Sequence, residues 1–71
     1  MQPAELRKVV AANIRQRAKK RRVSLNALAD LAGIARSPFY KALSGSASFT
    51  TDRLCKLANA LGCEAHDLLR P

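Results

Sequence analysis

The chain has few β-branched residues, no apolar run near the roughly 18 residues a membrane span requires, and few side chains suited to catalysis. Alanine and leucine dominate where valine, isoleucine and threonine are scarce, which argues against a β-rich fold and predicts an all-α one. The missing apolar span predicts no membrane partner. Glu5, Arg7 and Lys8 interrupt any signal-peptide core at the start, so the default expectation is a cytoplasmic location. One histidine, five scattered carboxylates and no glycine-rich phosphate loop leave no Ser-His-Asp set and no paired acids. These absences predict a non-enzyme without a cofactor. No internal repeat, low-complexity segment or linker divides the sequence, so its 71 residues read as one domain, 1–71.

That length lies near the lower limit for a self-supporting core, worth only about 3–5 kcal/mol, so metals, disulfides and self-association deserve consideration. A 48% hydrophobic content argues for a folded globule. Cys55 and Cys63, with one in mid-helix and the other past its end, would have Cα atoms about 12 Å apart, too far for a disulfide. Reduced thiols are expected. Together with His66 and Asp67 they match no two-plus-two zinc spacing, and no metal is expected.

Acidic residues are the remaining shortage. Thirteen Lys and Arg against five Asp and Glu give a formal charge of +8, a sign that suits a polyanion. Much of it lies on a first helix predicted over residues 3–21, where Leu6, Val9, Val10, Ile14 and Ala18 recur at three-four spacing. Its basic end, Lys19-Lys20-Arg21-Arg22, is open to three readings: a nuclear-localisation-like run, a phosphate clamp, or a solvated helix terminus.

Ser24 is an N-cap for a second helix to about Ala32, and Gly33 supplies the left-handed residue that ends it. Pro38 must sit in the first turn of a third helix, which begins between Ala35 and Pro38 and stops near Ser44–Gly45. Thr50 or Thr51 caps a fourth helix closed by Gly62, with Leu54, Leu57, Ala58 and Leu61 on its buried face. A last short turn runs from Glu64 to Leu69. Residues 24–44 thus read as helix, tight turn, helix, an arrangement that leaves the second member free for a DNA major groove. Small Ala29 and Gly33 would allow the two helices to approach closely. On the third helix Phe39, Ala42 and Leu43 share the core face, while Ser37, Tyr40, Lys41 and Ser44 share the outer face with Arg36 at its start. Arginine suits O6 and N7 of guanine, lysine suits guanine or phosphate, and serine and tyrosine more often position than specify.

In order and spacing, Asn13-Ile14-Arg15, Ser24, Leu28-Ala29-Asp30-Leu31-Ala32-Gly33-Ile34, Leu57-Ala58-Asn59-Ala60-Leu61-Gly62 and Asp67-Leu68-Leu69 resemble the Cro/C1-type (lambda-repressor-like) helix-turn-helix family. The resemblance covers about fifty-seven residues, and Gly33–Gly45 looks most like the HigA-type antitoxin branch. It implies a compact five-helix bundle, with base contacts from Arg36, Ser37 and Lys41, Tyr40 beside them, and a phosphate contact at Ser24. Leu25 stands where the family usually has Gln. Ala35 replaces the usual Ser or Thr cap, a duty that would pass to Ser37. Ala18 and Leu43 replace an Arg–Glu pair, a double exchange that leaves no charge stranded.

The function expected is a sequence-specific transcriptional regulator, a repressor by preference, bound as a homodimer to a near-palindromic operator in double-stranded DNA. Phe49, Cys63 and Leu69 are candidates for the dimer surface, with Phe49 leaning towards the core. One alternative is an antitoxin that represses its own promoter and binds a toxin. Another is a basic protein that coats nucleic acid without reading its sequence.

Overall fold

Helix α1 spans Pro3–Lys20 in the computed structural model, which describes residues 1–71. Pro3 suits its first turn because the missing amide has no intrahelical acceptor there, and Arg17, Lys19 and Lys20 complement the negative end of its dipole. It stops one residue short of the expected 3–21. Arg22 takes φ +56°, and the Val23 amide folds back onto the Ala18 carbonyl at 2.9 Å. The buried ridge of α1 is Val10, Ala11, Ile14 and Ala18, whereas Leu6 is exposed and Val9 half-buried. The expected stripe is therefore rotated towards Ala11, whose small side chain admits close packing.

Helix α2, Leu25–Ala32, starts where the Ser24 hydroxyl accepts the Ala27 amide at 3.1 Å. Gly33, at φ +70°, ends it, and Ile34 returns its amide to the Ala29 carbonyl at 2.9 Å. Three residues later α3 runs over Arg36–Leu43, and α4 over Thr51–Leu61. Thr50 caps α4 by accepting the Arg53 amide at 3.1 Å. The fold implied by the resemblance had five helices, but there are four α-helices and a 3-10 helix, Ala65–Leu69. A capping box closes its first turn. The Asp67 amide donates to the Glu64 carbonyl three residues back at 3.0 Å, while the Asp67 carboxylate accepts the Glu64 amide at 3.1 Å. That second bond holds the Asp67 carboxyl below the usual range, and the charges of His66, Arg17 and Arg70 act in the same direction.

The helices close around one core in which Phe39, Ile14, Leu28, Leu57, Leu61 and Leu68 are the largest fully buried side chains, with no buried polar residue. Two polar clasps tie the ends of the chain to it. Asn13 donates to the carbonyls of Leu68 at 2.8 Å and Arg70 at 2.6 Å, fastening the 3-10 helix to α1. Arg21 donates to the Leu61 carbonyl at 2.8 Å, at the negative end of α4. A Cβ on Gly62 would lie 2.9 Å from that guanidinium, so glycine leaves room for the clasp. Both Ala18 and Leu43 are buried, at 2% and 6% exposure, as expected of an apolar pair in place of charges.

Gly33 acts through its backbone alone. A Cβ there would meet nothing within 4 Å, so the close approach expected at Gly33 is absent, whereas Ala29 is fully buried. Gly33→Val should therefore destabilise the domain through strain, by about 1–3 kcal/mol. Arg22→Gly should act in the opposite sense, with a gain of up to about 1 kcal/mol, since a non-glycine residue sits in left-handed backbone there. Thermal melts followed by circular dichroism check both. Unchanged midpoints would contradict the assigned turns.

Candidate nucleic-acid interface

Helix α3 has two faces of opposite character. Phe39, Ala42 and Leu43 are buried, at 1%, 1% and 6% exposure. Arg36, Ser37, Tyr40, Lys41 and Ser44 all lie on the exposed side. The division follows from helical spacing for Ser37, Lys41 and Ser44, which lie opposite 39, 42 and 43, with Tyr40 at the edge. Arg36, seven residues before Leu43, is exposed because it stands at the open first turn of the helix. Ser24 lies apart from this row, at the start of α2. Its Oγ is occupied as a cap acceptor, and its hydroxyl proton remains available to donate.

The exposed row is braced by α2 through two rungs. The Arg36 guanidinium donates from Nη2 to Asp30 Oδ2 at 3.0 Å. The Tyr40 hydroxyl donates to Asn26 Oδ1 at 2.6 Å. Arg36 and Tyr40 are four apart on α3, and Asp30 and Asn26 are four apart on α2. Both rungs therefore connect one stripe on each helix. The tilted packing of the Phe39 and Tyr40 rings, with centroids 5.5 Å apart, gives the outer ring a buried neighbour. Neither Asn26 nor Asp30 belongs to the expected site. Their matched spacing with Arg36 and Tyr40 was the available signal, but it becomes meaningful only once the two helices are known to cross there.

The rungs alter what each side chain offers. Tyr40 donates its hydroxyl proton within the protein, which leaves its ring and oxygen lone pairs for a ligand. Ser44 donates to the Lys41 carbonyl at 3.0 Å and meets the Ser46 hydroxyl at 3.2 Å, so it finishes the helix. Lys41 and Ser37 are exposed, and their side chains have no hydrogen-bond or ionic partner in the protein. Ser37 does not take over the cap of α3. Placed two residues into the helix, its hydroxyl lies beyond the first-turn amides it would have to reach. Ala35 is the N-cap and brings no side-chain acceptor, so those amides stay at the positive end of the helix dipole.

Residues 13–71 match the family model of the Cro/C1-type HTH DNA-binding domain. The chain belongs to this family. No curated protein matches it, and no solved structure does. As a Cro/C1-type domain it is a DNA-binding domain, and the matched residues include both α2 and α3. The match names no antitoxin branch.

The cations of this Cro/C1-type domain are mostly unpaired. Arg36–Asp30 is the one Lys or Arg ion pair with a carboxylate. Arg7 reaches the Gly45 carbonyl at 3.5 Å, and Arg21 is held at the end of α4. The Lys19–Arg22 run is thus divided. Arg21 has a structural partner, while Lys19, Lys20 and Arg22 are exposed without one. Cys55 is exposed and Cys63 half-buried, and no three His, Cys, Asp or Glu side chains gather at one point. No helix is long and apolar enough to cross a membrane.

Asn26→Ala and Tyr40→Phe should each lower stability by about 0.5–1.5 kcal/mol. The double variant should lose little more than either single one, because both remove the same bond. Denaturant titration of the three variants measures this. Full additivity would contradict the rung.

Proposed function

We propose that this domain is a sequence-specific transcriptional regulator that places α3 in the major groove of double-stranded DNA. The observation that carries this reading is the exposed row on α3, which offers Arg36, Ser37 and Lys41 from a helix anchored below by Phe39. Arg36 at the first position of α3 reads guanine through O6 and N7, and Lys41, one and a half turns further on, contacts a second base or a phosphate. Ser37, Ser24 and the first-turn amides of α3 fix the register on the phosphate backbone. Tyr40 presents its ring edge beside them, and Ser44 acts by closing the helix. The surplus of cations raises affinity for any duplex, and the α3 row supplies discrimination.

A single headpiece of this size covers about 600–1,000 Å² of DNA, which is small for a selective genomic address. We therefore assign a homodimer on two half-sites about 34 Å apart, related by a two-fold axis. Of the expected dimer residues, Phe49 and Leu69 line one groove with Leu6, Val10 and Leu54, a space of ≈ 170 Å³ at the start of α1. Cys63 packs against the core outside that groove. A dimer occupying a promoter excludes polymerase, which favours repression, and its place of work is the bacterial cytoplasm around the nucleoid.

Selection from a random duplex library of about 20 base pairs tests the reading. The wild-type domain should enrich a near-palindromic sequence. Arg36→Ala should cost about 1–3 kcal/mol per half-site and erase preference at one base pair, and Lys41→Ala should weaken binding further along the same half-site. Each phosphate contact should add about 0.9 to the logarithmic salt slope. Enrichment of no sequence, with a steep salt slope, would show a basic coating protein and overturn the proposal.

A further inference from the structure

We propose that Asp30 is a positioning residue that aims Arg36 and so sets the selectivity of the domain, an inference that rests on the reading of Arg36 as a base contact. Asp30 is the lone carboxylate among residues 6–51, a stretch that holds ten of the thirteen Lys and Arg residues. On the side of a protein that meets phosphates, a carboxylate opposes every duplex alike. It contributes little to stability, because both partners are more than half exposed, at 55% and 63%. Its position matters for another reason. Asp30 Oδ2 accepts from Arg36 Nη2 at 3.0 Å, on the first residue of α3, where a reading helix meets base edges.

An arginine side chain has many rotamers, and beside a duplex the nearest strong acceptor is a phosphate, which carries no sequence information. Held by Asp30 through one nitrogen, the guanidinium is biased towards one direction. It has five N–H donors, of which Asp30 takes one, and four remain for a two-bond contact to O6 and N7 of guanine. The same carboxylate therefore lowers affinity for all DNA and raises the ratio of selected to unselected binding. These opposite effects distinguish aiming from plain electrostatics, in which both affinities change by one factor.

Wild type, R36A, D30N and D30E are compared by random-duplex selection, then by titration against the enriched duplex and a mixed-sequence duplex. Asn keeps the shape of Asp30 without its charge, and Glu keeps the charge. D30N should bind the mixed-sequence duplex more tightly than wild type, while its selectivity ratio falls about two- to tenfold. The loss should fall at the base pair whose preference R36A erases, and D30E should recover part of it. Circular dichroism should show D30N folded with a nearly unchanged melt. If wild type and R36A behave as stated but D30N retains the wild-type preference and ratio, Asp30 does not aim Arg36. If the wild type enriches nothing, the reading of α3 fails first, and the role of Asp30 fails with it.

Discussion

Burial of Phe39 is the constraint on which the rest depends. An eight-residue helix does not persist alone in water, and α3 exists because its inner face enters the core. Once Phe39, Ala42 and Leu43 face inward, the outward direction of Ser37 and Lys41 follows from the helical period, and Arg36 is exposed at the open first turn. Gly33 supplies the left-handed residue between α2 and α3, and Asn26 and Asp30 bond across the pair at its surface. A core of apolar residues without buried polar groups can support such a helix because it leaves no desolvated group to satisfy. Ala18 and Leu43, both apolar and buried, likewise leave no partner unpaired.

Charge is distributed in two ways. A few cations do structural work: Arg21 secures the end of α4, Arg7 approaches Gly45, and Arg36 is braced against Asp30. Most of the others lie exposed, with Arg17 and Arg53 half-buried, and their mutual repulsion is the cost of a field that attracts phosphates. Stability in so small a domain therefore rests on packing and on the clasps at its ends, not on ion pairs. The Asn13 bonds to Leu68 and Arg70 and the capping box of Glu64 and Asp67 close the C-terminal turn without adding core volume.

Helix order, the left-handed turn at Gly33, the Ser24 cap and the two faces of α3 were all legible in the sequence, because each follows from local spacing or from one residue's backbone preference. Long-range features were not. The rotation of the α1 stripe away from Leu6 depends on how closely Ala11 packs. Arg21 reads as one of four equivalent cations until α4 is seen to end beside it. Asn26 and Asp30 look like solvated polar residues until α3 crosses them. The fifth helix implied by the resemblance is a short 3-10 turn, Ala65–Leu69, a difference of pitch that its residues do not signal. Ser37 shows the limit of transferring a capping role by proximity, since a hydroxyl two residues inside a helix no longer reaches its first amides.

In the proposed function the outer face of α3, braced on α2, is the surface that meets DNA. Amide chemical shifts of the nitrogen-15-labelled domain, followed while a mixed-sequence duplex is added, test it most directly. The largest changes should fall on Arg36–Lys41 and on Ser24–Asn26, with the buried amides of α4 little affected. Changes confined to α4 and the 3-10 helix, with α3 silent, would contradict it.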